Sequence, residues 1–158
     1  MEQQTRFEVR EVEWPEKTLL TKRVTTTMDR LPAFFSSAYV QLFRLLQTQG
    51  LSSGEPPFAI YYEVDAATQE TDVAAAVSIH GQVKELSRFQ KITIPASRAL
   101  QLTCYGAYSS MRSAYQTLER YVREHRLETL LMMEQYITDP GTENDPAKWR
   151  TDIYYIIN

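Results

Sequence analysis

Glu134 is the residue of this 158-residue sequence whose setting most needs a reason. It follows Leu130-Leu131-Met132-Met133, so the chain carries a carboxylate into an apolar run that reads as a strand and not as a solvated loop. Burial would raise its pKa and make it attractive to a cationic or hydrogen-bond-donating ligand. Strand alternation puts Tyr136 on the same face. A carboxylate beside aromatic rings suits flat or cationic organic molecules. The competing readings are a solvated Glu134 paired with a neighbouring Lys or Arg, and plain packing for most of the ten tyrosines.

Other chemistry is poorly supplied. His80 and His125 are isolated, no Cys/His spacing resembles a zinc site, and five glycines form no phosphate loop. Neither a metal nor a cofactor is expected. Cys104, the lone cysteine, cannot close an internal disulfide and reads as a buried, inert thiol. Seventeen Lys+Arg against twenty Asp+Glu argue against a nucleic-acid partner. The basic residues Arg120, Arg123 and Arg126 are interleaved with Glu119, Glu124 and Glu128 as on a solvated helix face. The opening segment has no apolar leader and the chain no membrane-spanning run, so a cytoplasmic protein without a membrane partner is the expectation. The length suits one domain over 1–158.

The elements that must position Glu134 repeat. At a shift of 80 residues Thr71-Asp72-Val73-Ala74-Ala75-Ala76-Val77 meets Thr151-Asp152-Ile153-Tyr154-Tyr155-Ile156-Ile157, and Pro15 meets Pro95. The same shift carries Leu31, Phe35, Ala38 and Leu42 onto Met111, Tyr115, Leu118 and Val122. A shift of 74 pairs Ile60-Tyr61-Tyr62-Glu63-Val64-Asp65 with Glu134-Gln135-Tyr136-Ile137-Thr138-Asp139, which sets Ile60 against Glu134 and Tyr62 against Tyr136.

Each half, 1–80 and 81–158, reads as strand, strand, helix, strand, strand. The first has strands over 6–14, 18–27, 58–64 and 71–80, and a helix capped by Asp29 that stops near Gly50. The second has strands over 86–94, 98–104, 131–138 and 150–157, and a helix from about Ser110 to His125. These predict an α+β fold of duplicated strand–helix–strand–strand units with pseudo-twofold symmetry. An antiparallel sheet would carry two long helices on one face and a central ligand cleft on the other. Alternation sends Val73, Ala75, Val77 and Ile79 under the helices and Asp72, Ala74, Ala76, Asp152, Tyr154 and Ile156 to the cleft. Glu134, Tyr136, Tyr62 and Tyr154 are expected to share that cleft. Trp149, at the exit of the polar turn Thr142-Glu143-Asn144-Asp145-Pro146, either caps it or packs on the sheet edge.

Three segments carry a family likeness. Cys104-Tyr105-Gly106-Ala107-Tyr108-Ser109-Ser110-Met111, Glu134-Gln135-Tyr136-Ile137-Thr138-Asp139-Pro140 and Thr151-Asp152-Ile153-Tyr154 resemble the signatures of the GyrI-like small-molecule-binding family, over about Phe7 to Ile157. The resemblance implies two strand–helix–strand–strand units and a central pocket with a glutamate at the Glu134 position and aromatic walls. It implies ligand contacts from Glu134, with Tyr136 and Tyr154 beside it, and Tyr62, Trp149 and Tyr108 complete the candidate set. Where the family often has His and Pro in the turn, this chain has Cys104 and Ala107. With six residues before Phe7, no DNA-binding head is expected. The implied function is a stand-alone binder of amphipathic, aromatic or cationic small molecules. The alternatives are a hydrolase of strained electrophiles using Glu134 as its catalytic residue, and a module that binds a protein such as DNA gyrase.

Overall fold

The computed structural model describes residues 7–108, 111–139 and 141–158. Eight strands and two helices follow one another as β1 (Arg10–Trp14), β2 (Lys17–Thr27), α1 (Leu31–Thr48), β3 (Phe58–Val64), β4 (Glu70–Ser78), β5 (Gln90–Ile94), β6 (Ser97–Tyr105), α2 (Arg112–Glu124), β7 (Thr129–Tyr136) and β8 (Arg150–Ile157). The α+β class and the element order are as the sequence predicts.

Each helix end has a local cause. Pro32 occupies the first turn of α1, where its missing N–H costs nothing. At the other end Gly50 adopts φ +69°, and Gly50 N and Leu51 N donate to Gln47 O and Leu46 O, closing the helix with a left-handed cap. Helix α2 stops the same way with Arg126 at φ +54°, Arg126 N donating to Arg123 O and Leu127 N to Val122 O. Asp29 does not cap α1. It lies inside a 3₁₀ turn, Met28–Arg30, and α1 begins after it without a side-chain cap bond. Ser110, the expected start of α2, lies outside the described residues.

The strands form one antiparallel sheet in the order β1-β6-β8-β7-β3-β4-β2-β5. Its two edge strands each pair with a strand of the other half, β1 with β6 and β5 with β2. Only Pro15 and Glu16 join β1 to β2, which lie six strand spacings apart in the order. Laid flat, that gap would be about 29 Å, whereas three Cα steps reach about 11 Å at most. The sheet therefore curls until its edges approach, and Pro95 and Ala96 impose the same closure between β5 and β6.

Both helices cover the outer face of the curl. Ala38, Leu42 and Leu46 of α1 pack on Leu20, Ala75 and Val77, and Ala114 and Leu118 of α2 pack on Leu100, Leu102, Ile153 and Tyr155. Among the described residues the inner face closes on itself without a helix, burying Trp14, Phe58, Ile60, Ala74, Ala76, Met133 and Ile156 in one cluster. Ala75, Val77 and Ile79 thus lie under the helices as expected, and Ala74, Ala76 and Ile156 face away.

Candidate functional site

Strand β7 holds Glu134 between two partners: it lies opposite Ala59 of β3 and Ile153 of β8. Residues directly opposite share a face, so Glu134 points to the helix side. There it is 7% exposed and surrounded by phenols. Tyr136 donates to its Oε1 at 2.8 Å, Tyr61 to the same oxygen at 3.5 Å, and Tyr115 from α2 to Oε2. Among the described residues no Lys, Arg or His forms an ion pair with it.

Burial pushes the Glu134 pKa up, and the bonds from Tyr115, Tyr136 and Tyr61 pull in the other direction without cancelling it. The same burial, with the Glu134 charge close by, raises the pKa of Tyr61, Tyr115 and Tyr136, so these phenols keep their protons and stay donors. The outcome is a desolvated carboxylate with donors but no counter-ion, and its negative field is available to an incoming cation.

Aromatic rings continue outward from this carboxylate. Tyr136 makes edge contacts with Phe35 at 6.1 Å and Tyr39 at 6.4 Å between ring centroids, both from α1. Phe35 stacks on Tyr39 at 5.7 Å, and Tyr39 is fixed by its hydroxyl donating to Phe58 O at 2.7 Å. On the other side Tyr108 contacts Tyr136 at 5.6 Å and Trp149 at 5.3 Å. Trp149 is held by its Nε1 donating to Glu143 O at 2.9 Å. Tyr108 is 42% exposed, so the run of rings extends from the buried carboxylate to the surface.

Four expected site residues thus come together: Glu134, Tyr136, Tyr108 and Trp149. Tyr62 and Tyr154 do not join them, and the Glu134 site is not on the helix-free face. Tyr154 lies opposite Met133 and packs with the inner cluster, as does Tyr62, whose ring lies 3.8 Å from the Arg23 guanidinium carbon. The cause is one residue of register. Tyr61 is opposite Val73, and Glu134 is opposite Ile153, the residue that the 80-residue shift assigns to Val73. The positional counterpart of Glu134 is therefore Tyr61, 73 residues away, and not Ile60. A slip by one turns every side chain of a strand to the opposite face. A bulge between Tyr61 and Glu63 adds to the ambiguity along β3.

Tyr61, Tyr115, Tyr39 and Phe35 were not among the expected site residues. The 80-residue shift contained a signal for two of them, because it pairs Phe35 with Tyr115, and these meet Tyr136 and Glu134 respectively. Cys104 is buried, and desolvation with the nearby Glu134 and Asp152 charges pushes its thiol up to about 11. Among the described residues no group lowers its pKa, and a thiol raised in this way is poorly ionised near neutral pH.

The sequence matches the model of the GyrI-like small molecule binding domain over residues 7–157. The chain belongs to the GyrI-like family. No curated protein sequence matches it significantly. Among solved structures of similar fold, the EcmrR C-terminal domain shares 21% identity and a TM-score of 0.76, covering 96% of this chain and 98% of that one. SAV2435 bound to tetraphenylphosphonium gives 14% identity and 0.70, covering 96% and 94%. A hydrolase encoded by lin2189 from Listeria innocua gives 12% and 0.66, covering 96% and 92%. In the EcmrR–DNA complex the chain spans 57% of the longer EcmrR chain. Among the described residues of this GyrI-like chain no helix is long and apolar enough to cross a membrane.

Proposed function

We propose that residues 7–157 work as one cytoplasmic binding unit for small aromatic or amphipathic cations. The cation lies toward Glu134 and the apolar groups lie among Phe35, Tyr39, Tyr136, Tyr108 and Trp149. The observation that carries this reading is a buried carboxylate with three phenol donors and no cationic partner among the described residues. A group in that state gains from a cation whose charge is carried on an apolar body, because most of its acceptor sites already take phenol protons while its field remains unanswered. The structural neighbour SAV2435 with bound tetraphenylphosphonium supports the ligand class.

A second reading, hydrolysis of a strained neutral electrophile, is favoured by the raised pKa of Glu134, which suits a general base in an apolar setting. Calorimetric titration with tetraphenylphosphonium, wild type against Glu134→Gln, separates the two. Binding that the substitution weakens tenfold or more supports the cation site. Binding that is absent or indifferent to the charge refutes it.

A further inference from the structure

The inner face carries a second polar-aromatic cluster that the Glu134 site does not use. Lys17 Nζ donates to both oxygens of Glu55, at 2.7 and 2.9 Å, and lies 5.0 Å from the Trp14 ring centroid and 5.5 Å from that of Phe58. Ser78 Oγ also donates to Glu55. Around this pair lie two adjoining clefts of about 230 and 540 Å³ that share Pro15, Lys17 and Glu55. The smaller is walled by Trp14, Tyr154, Gln101 and Gln135. Its Trp14 and Tyr154 walls belong to the inner cluster, so it lies on the face of the sheet opposite Glu134.

Its hydrogen-bonding groups are incompletely used. Gln135 is 7% exposed, and its Nε2 donates to Glu55 Oε1 at 3.2 Å and Pro56 O at 3.1 Å. Two acceptors on one side fix the amide orientation, because only the nitrogen can donate to both. Gln135 Oε1 is then an acceptor without a donor among the described residues. Tyr154 OH accepts a long contact from Gln101 Nε2 at 3.5 Å, and its own proton has no acceptor among them. Trp14, whose ring meets Tyr154 edge-on at 5.1 Å, has no partner for its buried Nε1–H among the described residues. Of these three groups Trp14 Nε1–H is the buried one, and a buried donor in this state is costly and marks a place where a ligand or ordered water completes the bonding.

We infer that this cleft is a second ligand site, for small planar amides or lactams. Such a ligand offers an N–H to Gln135 Oε1 and a carbonyl to the Tyr154 hydroxyl or the Lys17 ammonium, and its flat face suits the Trp14 and Tyr154 walls. The Lys17–Glu55 pair stays intact, since an uncharged ligand gains nothing by breaking it.

The two tryptophans make the test direct, because Trp14 lies at this cleft and Trp149 at the Glu134 site. Their indole N–H signals in a nitrogen-15 spectrum report the two sites separately. Benzamide is titrated into the full chain, with N,N-dimethylbenzamide, which lacks the N–H, as comparison. The expected result is a saturable shift of the Trp14 signal with Trp149 unmoved, and at least fivefold weaker binding of the dimethyl compound. Tyr154→Phe, which removes one hydroxyl and leaves the packing intact, weakens benzamide at least threefold, and Gln135→Leu weakens it further if the variant folds. The inference is overturned by a Trp14 signal that stays still or drifts without saturating. It is equally overturned by a shift of Trp149 instead, or by benzamide affinity that neither Tyr154→Phe nor loss of the N–H changes.

Discussion

Glu134 and Gln135 are consecutive on β7 and face opposite sides of the sheet. Glu134 takes phenol hydrogen bonds beneath the helices, and Gln135 donates to Glu55 and Pro56 on the inner face. One strand thus supplies the polar centre of both clusters, and substitutions at the two positions separate their effects.

Glu134→Gln keeps the side-chain shape and removes the charge. It should weaken tetraphenylphosphonium binding by about 2–5 kcal/mol, the range for losing one side of a desolvated charge pair. Tyr154→Phe, on the opposite face, should leave that affinity within a factor of two. Calorimetry on both variants checks the order, and equal losses would mean that the sheet does not separate the two faces.

The raised Glu134 pKa makes stability pH-dependent with a defined sign. Below the ordinary value of 4.5 the group is protonated both folded and unfolded, so it imposes no charge penalty. As pH rises through the raised folded value, the native state must hold a buried charge and loses stability relative to its acid form. The Tm of wild type measured against Glu134→Gln should therefore fall behind as pH rises from 4.5 through that folded value. A difference that is flat with pH would remove the case for a desolvated carboxylate.

Cation binding should release a proton over the same window, because the ligand favours the ionised carboxylate. Tyr136→Phe removes the 2.8 Å donor, raises the Glu134 pKa further and should move the acid limb of binding to higher pH. Titrations in buffers of different ionisation enthalpy, repeated across pH, measure both effects.

Arg126 holds a left-handed conformation at the cap of α2, where Gly50 serves at the end of α1. Relief of the side-chain penalty in Arg126→Gly should stabilise the fold by about 0.5–1 kcal/mol, net of the extra unfolded-state entropy of glycine. In contrast Leu118→Ala, which empties a fully buried position beneath the same helix, should cost about 2–5 kcal/mol. Urea unfolding of the two variants gives both signs.

Cys104 should resist aromatic disulfide reagents in the native state. With its thiol pushed up to about 11 and its side chain buried, reaction at pH 8 should be on the order of a hundredfold slower than for an unfolded cysteine. A rapid reaction in native buffer would contradict the packing around β6.

What the sequence determined by itself is local or repeated. Strand and helix types follow from side-chain spacing within each segment. The 80-residue shift is visible because Val73 and Ile153, or Phe35 and Tyr115, need only be compared along the chain. Glu134 stood out for a similar reason, since an apolar run before a carboxylate is visible without coordinates. Which side of the sheet Glu134 faces was decided by tertiary structure, because it depends on cross-strand register with Ala59 and Ile153, and one residue of slip reverses it. The exchange of the edge strands β1 and β5 between the halves was likewise out of reach, being a choice of partner between segments about 90 residues apart in β1 and β6. So was the approach of Tyr61 from β3 and Tyr115 from α2 to one carboxylate, which no spacing along the chain encodes and which arises only when helix, sheet and curl are packed together.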